Sequence, residues 1–136
     1  MLRVLFVCTH NAGRSQMAEA FFNRLTKGNA KAFSAGTQPA DKVNPMVVQA
    51  MRETGIDISR RKPKLLTLEM LEGADRVVTM GCGAENTCPA SFVPSEDWQL
   101  DDPEGKPIER VRKIRDEVKA RVGRLVKDLN AGKDFT

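Results

Sequence analysis

The chain has 136 residues, which is enough for one domain with a hydrophobic core and too few for two. We therefore expect residues 1–136 to form a single domain. The formal net charge of +4 is a modest basic excess, which suits an anionic small molecule but also many ordinary proteins. An aromatic content of 5%, without any tyrosine, argues against a base-stacking surface, so we expect no nucleic-acid partner.

The apolar segments are short. Those around Val4–Val7 and Val77–Met80 fall far below the roughly 20 residues of a transmembrane helix. The N-terminus also lacks the apolar run and small-residue cleavage site of a secretory signal. We therefore expect a cytoplasmic protein with no membrane partner, and we expect it to be a monomer.

Four segments have the composition of strands. "RVLFVC" (3–8) is an unbroken apolar run that is typical of a strand buried on both faces, and "AKAFSAG" (30–36) ends at a glycine. "DRVVTM" (75–80) is a third buried strand. "ASFVPSEDW" (90–98) is weaker because Pro94 limits its pairing.

Helical patterns lie between these strands. From Arg14 to about Leu25 the apolar spacing predicts a helix with one buried stripe. The segment 44–55 has Asn44 as N-cap and Pro45 at its first position, and 66–74 is a shorter candidate. Apolar residues at every third or fourth position predict an amphipathic helix from about Ile108 to Asn130. The alternation predicts an α/β three-layer sandwich, with a four-stranded parallel sheet and helices on both faces.

The loop after the first strand has the spacing C-x5-R-S, from Cys8 to Arg14 and Ser15. Five intervening residues let the backbone curl around a tetrahedral oxyanion with its N–H groups inward, at the positive end of the following helix. Gly13 would supply the backbone freedom, and Arg14 a planar fork for two anion oxygens. We therefore expect the oxyanion to be bound by residues of this loop, namely Thr9, His10, Asn11, Ala12, Gly13, Arg14 and Ser15.

The same positive field favours the thiolate form of Cys8, to which Ser15 can donate a hydrogen bond. Cys8 would then be a nucleophile aimed at the central atom of the anion. The alternative is a small buried cysteine at the end of a strand, with a loop that only turns the chain. The strand before it, the helix after it and the neighbouring arginine favour the catalytic interpretation.

Cys82 and Cys88 lie in a glycine-rich segment directly after the third strand, which brings them near the same sheet edge as Cys8. A disulfide formed at Cys8 could pass to this pair by thiolate attack. Inert thiols and metal ligands are the alternatives. Because the chain has three cysteines and a single histidine, His10, which lies inside the oxyanion loop, we predict no metal site.

The segment "WQLDDPEGKP" (98–107) is a polar loop that reaches the same edge in this topology. Pro103 holds the preceding Asp102 extended, so its carboxyl group can serve as a general acid toward the oxyanion. An ordinary Asp-Asp-Pro turn is the alternative.

Together these motifs resemble the low-molecular-weight phosphotyrosine phosphatase superfamily, and within it the arsenate reductases coupled to thioredoxin. The resemblance covers "VCTHNAGRSQMAEAF", "FSAGT", "NPMVVQAM", "GIDIS", "ADRVVTM", the Cys82 and Cys88 segment, and "DWQLDDP". The loop indicates only the superfamily, whereas the added cysteine pair points to the reductases.

The resemblance implies an arsenical-resistance enzyme that needs no cofactor, with arsenate as substrate and phosphate or sulfate as mimics. In this scheme Cys8 attacks arsenate held by the loop and Arg14, and Asp102 is the acid for the departing hydroxide. Cys82 then attacks Cys8 and releases arsenite. Cys88 attacks Cys82, and thioredoxin or a similar dithiol reduces the resulting disulfide.

The sequence departs from the superfamily in three places. Better-known members have the middle cysteine one position earlier, where this chain has Gly81, and they usually have glycine at the position of His10. Some members bind potassium through positions that correspond to Asn11, Glu19, Ser34 and a later aspartate. This chain has Lys64 in place of that aspartate, and its ammonium can replace the ion, so we predict no potassium requirement.

Two other functions stay open. A phosphatase acting on phosphotyrosine or a small phosphate ester would use the same loop, because arsenate and phosphate share shape and charge. The lack of tyrosines, which look typical of the phosphatases' acid loop, favours the reductase. A redox-sensing or anion-binding regulator would instead use the basic face of the last helix as a partner surface, although interleaved acidic residues favour a solvated face.

Overall fold

The structure is a computed structural model that describes residues 2–26, 28–80 and 95–130. Its strands are β1 (Leu2–Cys8), β2 (Ala30–Gly36), β3 (Arg76–Thr79) and β4 (Ser95–Asp97). Within the described residues these four strands form one parallel sheet in the order β2-β1-β3-β4. The helices are α1 (Arg14–Leu25), α2 (Pro45–Arg52), α3 (Leu68–Gly73) and α4 (Ile108–Asn130).

This architecture confirms the predicted parallel α/β sandwich. The bounds of β2, α1 and α4 agree with the sequence patterns, and Asn44 caps α2 by accepting the Met46 N–H at 2.9 Å. α2 ends earlier than predicted, at Arg52, and the chain then turns through Gly55 at a φ of +86°. β4 is shorter than predicted, and residues 90–94 of that prediction lie outside the described residues.

The central strand β1 is buried on both faces, as the unbroken apolar run predicts. Val4, Phe6 and Cys8 belong to a large core that includes the buried faces of α1, α2 and α4. Leu5 and Val7 point to the opposite face, where they pack in a smaller cluster with residues of α3. Alternation of side chains along one strand therefore builds both cores of the sandwich.

The prediction of one buried stripe on α1 was wrong, because every residue from Arg14 to Phe22 is buried. The helix lies against β1, β2 and α4 at once, so it has little solvent-facing surface over these residues. Gln16 and Glu19 are among its buried polar side chains. Gln16 donates to Asn11 Oδ1 at 3.1 Å, and Glu19 accepts from the Ser34 hydroxyl at 2.8 Å.

The carboxyl ends of the strands bring the two predicted functional loops to one edge. Cys8 pairs with Gly36, the last residue of β2, and Val7 pairs with Thr79, the last residue of β3. The Trp98 N–H continues the pairing by donating to the Thr79 carbonyl at 2.7 Å. The loop after Cys8 and the loop after Trp98 therefore leave the sheet side by side, where ligands bind in this class of fold.

Helices α2 and α4 are joined by an exposed ionic cluster. Glu53, directly after α2, accepts hydrogen bonds from the side chains of Arg112 and Arg115. The hydrogen bond from Arg112 is the main cause that lowers the pKa of Glu53 below its usual value of 4.5. Among the described helices, none has the length and apolar character that crossing a bilayer requires.

Removing the Phe22 side chain tests the larger core. Phe22 is fully buried and meets Phe6 edge to face, with ring centroids 6.0 Å apart. We expect Phe22→Ala to lower the free energy of unfolding by about 3–5 kcal/mol, measured by urea denaturation. Phe33→Ala is the control, since Phe33 is 37% exposed, and we expect a loss below about 1 kcal/mol. Equal losses would contradict the assignment of the core.

Candidate active site

The Cys8 sulfur is buried at the end of β1 and has two hydrogen-bond partners. The backbone N–H of Asn11 donates to Sγ at 3.2 Å, and the Ser15 hydroxyl lies 2.8 Å from Sγ. Asn11 Nδ2 donates to that same hydroxyl oxygen at 2.7 Å, which leaves the Ser15 hydrogen free to point at sulfur. Two donors aimed at one sulfur stabilise a negative charge on it.

Asn11 is the residue that fixes the shape of the loop. Its φ is +51°, the only positive value among the described non-glycine residues. Its side-chain oxygen accepts the Lys64 N–H at 2.8 Å and the Gln16 amide at 3.1 Å, so both ends of the side chain are bonded. Asparagine tolerates the left-handed region better than most residues. The asparagine at position 11 was therefore a signal for a left-handed residue in the loop, and this role was not predicted.

The loop backbone is held from outside by the segment after β2. Four backbone carbonyls of the cysteine loop accept hydrogen bonds from backbone N–H groups of that segment at 2.8–3.2 Å. With the donor first, the pairs are Thr37 to Cys8, Gln38 to Thr9, Ala40 to His10 and Asn44 to Ala12. In a trans peptide the C=O and the next N–H point in opposite directions. Carbonyls turned outward therefore turn the following amides inward, and the Asn11 N–H on Sγ is one of them. This is the arrangement of an anion nest.

Gly13 has a packing role in addition to the predicted backbone freedom. Its φ of −147° and ψ of −87° lie outside the strand and helix regions, which agrees with that prediction. A Cβ at this position would also lie 2.6 Å from Pro103 Cγ, so the absence of a side chain lets the second loop pack on the first. Gly36 serves the loop in the same way, because a Cβ there would lie 2.6 Å from the Thr9 carbonyl oxygen.

Arg14 bridges the two loops from the first turn of α1. Its side chain is buried, and Nη1 donates to the Leu100 carbonyl at 3.2 Å while Nη2 lies 3.7 Å from Asp102 Oδ2. Within the described residues the buried Nε has no hydrogen-bond partner. A buried donor without a partner is costly, and an anion oxygen in the adjoining cleft would satisfy it.

Asp102 lies at the predicted position beside the oxyanion loop and also forms the turn that was the alternative. Its Oδ1 accepts a hydrogen bond from the Glu104 N–H at 3.0 Å, which is the hydrogen bond of an Asx-turn. Its Oδ2 faces Arg14. The carboxyl group is partly exposed and lines the same cleft as Cys8. The structure therefore places the Asp102 carboxyl group beside the oxyanion loop, where the predicted general acid has to lie.

These residues surround a cleft of about 300 Å³. Of the predicted site residues, Cys8, His10, Ala12, Gly13, Arg14 and Asp102 line it. Asn11 and Ser15 are fully buried behind the sulfur, and Thr9 contributes its carbonyl to the outer hydrogen bonds. Cys82 and Cys88 lie outside the described residues. Lys42 also lines the cleft and adds positive charge that the sequence analysis did not assign.

The buried carboxylate of Glu19 lies next to this loop with two cations. Lys64 Nζ is 3.9 Å from Oε1, and the guanidinium of Arg61 contacts Oε2. Burial lowers the pKa of Arg61. The pKa of Lys64 is lowered by burial and, to a smaller extent, by the positive charge of Arg61. Lys64 therefore lies where the resemblance predicts it. Arg61 was missed, because Glu19 and the basic segment 60–64 are far apart in the sequence.

Comparison with known proteins identifies the family of this chain. The model of the low molecular weight phosphotyrosine protein phosphatases matches residues 3–134. The chain belongs to this family. It is 42% identical over 130 residues to a protein of Halobacterium salinarum, covering 92% of this chain and 91% of that one. It is 39% identical over 121 residues to arsenate reductase 2 of Staphylococcus haemolyticus, covering 88% and 92%.

Two solved structures show that the family fold serves different reactions. A thioredoxin-dependent arsenate reductase of Corynebacterium glutamicum has a TM-score of 0.81 at 34% identity, over 98% of this chain and 64% of that chain. The YwlE arginine phosphatase of Geobacillus stearothermophilus has a TM-score of 0.85 at 28% identity, over 97% and 95%. The expected superfamily and fold are confirmed, and the choice of reaction depends on the site.

Substituting Gly13 tests the contact between the loops. We expect Gly13→Ala to lower the free energy of unfolding by about 1–3 kcal/mol, because the new methyl group overlaps the Pro103 ring. Isothermal titration with inorganic phosphate should also show weaker binding. The control is Gly123→Ala within α4, where a Cβ would meet no described atom within 4 Å. We expect that variant to be more stable by about 0.5–1 kcal/mol.

Proposed function

We propose that this chain reduces arsenate to arsenite, with Cys8 as nucleophile and thioredoxin or a similar dithiol protein as electron donor. One observation carries the proposal: the buried Cys8 sulfur accepts hydrogen bonds at the cleft that Arg14 and Asp102 also line. A sulfur held in this way is poised to attack the central atom of a bound oxyanion. The reaction would serve arsenic detoxification.

Arsenate would bind in the nest made by the cysteine loop. Inward amides and the Arg14 Nε, which has no partner among the described residues, supply donors for its oxygens. The N-terminus of α1 adds a favourable field. Phosphate and sulfate should occupy the same place as mimics, because the donors recognise shape and charge.

In the first step the Cys8 thiolate attacks arsenic and forms a sulfur–arsenic bond. An arsenic–oxygen bond breaks, and Asp102 gives its proton to the departing hydroxide, which leaves as water. Arg14 holds the remaining oxygens while charge shifts among them. Its contact with Asp102 at 3.7 Å holds the acid next to the bound anion.

Reduction requires a second thiolate, which we assign to Cys82 from the sequence. Its attack on the Cys8 sulfur forms a disulfide, and the electron pair of the sulfur–arsenic bond stays on arsenic, which leaves as arsenite. Cys88 then attacks Cys82 and frees the Cys8 thiolate. The dithiol donor reduces the Cys82–Cys88 disulfide with two electrons and two protons.

A phosphatase is the second candidate, and its support is the structural similarity to an arginine phosphatase. The lining of the cleft favours the reductase over a phosphatase of aromatic esters. Ala40, Lys42, Pro45 and Gly105 form its wall, and no phenylalanine or tryptophan belongs to the described lining. An aryl group would therefore find little stacking surface.

The cysteine variants test the proposal. We expect arsenate-dependent NADPH oxidation, coupled through thioredoxin and its reductase, to fall to background in Cys8→Ser, Cys82→Ser and Cys88→Ser, because each removes one link of the thiol relay. Arsenite formed in a single turnover should still appear in Cys88→Ser, which retains the first two thiols.

Hydrolysis of p-nitrophenyl phosphate is the internal control. Any such activity depends on Cys8 alone, so Cys82→Ser and Cys88→Ser should retain it and show that the variants fold. Full reductase turnover without Cys82 or Cys88 would contradict the relay. Ester hydrolysis without arsenate reduction in the wild type would establish the phosphatase, and neither activity would favour a regulator.

We further propose that Lys64 and Arg61 make the enzyme independent of potassium. Initial rates and the thermal midpoint should agree within error in KCl and NaCl at equal ionic strength, because Glu19 already has two side-chain cations. A rate more than twofold higher in KCl would contradict this expectation.

Lys64→Met and Lys62→Met provide a matched pair for the same question. Lys64→Met should lower the thermal midpoint, because it removes an ammonium group beside a buried carboxylate. Lys62 is exposed, so its variant should leave the midpoint unchanged. Equal midpoints for the two variants would show that the ammonium of Lys64 does not act on Glu19.

A further inference from the structure

Three side chains with metal-binding atoms converge at the mouth of the cleft. His10 comes from the cysteine loop, whereas Asp102 and Glu104 come from the loop after Trp98. One ligand atom from each side chain lies within 4.8 Å of the other two. Three cysteines and one histidine predicted no metal site, and the sequence spacing does not show that His10 meets the two acids.

The hydrogen bonds of His10 fix which ring nitrogen faces the acids. Nδ1 lies 3.1 Å from the Gln38 carbonyl oxygen, which can only accept, so Nδ1 carries the hydrogen. In the neutral ring Nε2 then presents its lone pair, and it lies 3.4 Å from Glu104 Oε2. These two atoms can therefore share one cation.

The surroundings suit a metal ion in this position. A ligating histidine usually donates its other N–H to a backbone carbonyl, which is what His10 does with Gln38. Asp102 Oδ1 accepts the Glu104 N–H, so its carboxylate is oriented by a hydrogen bond of its own. Glu104 is 71% exposed, beside Gly105 at a φ of +72°, and can move toward the other two ligands.

We propose that His10 Nε2, Asp102 and Glu104 bind a divalent transition-metal ion, with Zn²⁺ as the best match. One imidazole and two carboxylates form a three-ligand zinc set with a fourth position left for water. Ca²⁺ and Mg²⁺ prefer sites made of oxygen ligands only. Ligand atoms of a tetrahedral zinc site lie about 3.3 Å apart, from bonds of about 2.0 Å. Glu104 Oε2 already lies 3.4 Å from His10 Nε2, and the other separations, which are within 4.8 Å, have to shorten by no more than about 1.5 Å.

Metal binding would inhibit the chemistry of the cleft. A bound ion takes up the Asp102 carboxylate and lies across the entrance to Cys8 and Arg14. This consequence rests on the proposed function, whereas the metal site itself does not. Zinc would thus act as an inhibitor that competes for the acid, while the sulfur remains buried.

The single histidine of the chain gives a specific readout. Long-range proton–nitrogen spectra of the reduced full-length protein, titrated with ZnCl₂, should show the Nε2 resonance of His10 moving to a metal-bound position and saturating. CaCl₂ should leave it unchanged. Zinc held only by thiols would not move Nε2, and that result would overturn the proposal.

The matched variants are Glu104→Gln and Glu72→Gln, both at exposed glutamates. We expect Glu104→Gln to weaken the zinc effect on Nε2 at least tenfold, and Glu72→Gln, on α3, to leave it unchanged. The same titration in the Cys8→Ser, Cys82→Ser, Cys88→Ser triple variant removes competing thiols. Equal zinc affinity in the two glutamate variants would overturn the site.

Inhibition of p-nitrophenyl phosphate hydrolysis adds the functional measurement. The zinc concentration for half-inhibition should rise at least tenfold in Glu104→Gln relative to Glu72→Gln. If the wild type binds zinc at Nε2 but its hydrolysis is not inhibited through Glu104, the metal site stands and the inhibition is wrong. If arsenate reduction fails while Nε2 still binds zinc, only the proposed function fails.

Discussion

The site depends on the hydrogen bonds of one side chain, that of Asn11. Its amide holds Ser15 against the Cys8 sulfur, while its oxygen ties the loop to the backbone of Lys64 and to Gln16 on α1. Each bond contributes roughly 0.5–1.5 kcal/mol, and together they keep the backbone in the left-handed region. Without them the Asn11 N–H would not be directed at Sγ, and the sulfur would lose both of its donors.

The second loop completes the site because it packs on the first without an intervening side chain. A Cβ on Gly13 would lie 2.6 Å from Pro103 Cγ, and Arg14 contacts both Leu100 and Asp102. Asp102, the proposed acid, is therefore positioned by contacts with the loop that carries Cys8, the proposed nucleophile. In the proposed function this cleft binds the oxyanion, and the further cysteines decide the reaction class.

Much of this arrangement was predictable from the sequence. The unbroken run in β1 and the regular spacing in α4 identify their structures because burial dictates their composition. The C-x5-R-S spacing predicted that Cys8 and Arg14 lie together, because five intervening residues let the backbone curl around one anion. The burial of α1 on nearly all sides, the partner of Glu19 and the packing role of Gly13 were not predictable, because each depends on residues distant in the chain. The contact between His10 and Glu104 is likewise visible only in the folded structure.

Asn44 connects the cysteine loop to helix α2, of which it is the N-cap. Its N–H donates to the Ala12 carbonyl, and its side chain caps the helix by accepting the Met46 N–H. The loop therefore cannot widen unless the first turn of α2 gives way, so the opening behaves as an aperture of fixed diameter. Two oxyanions of the same geometry pass it equally well. In the proposed function, selection between arsenate and phosphate would then come from how readily the bound central atom accepts an electron pair, which is a property of the bound anion.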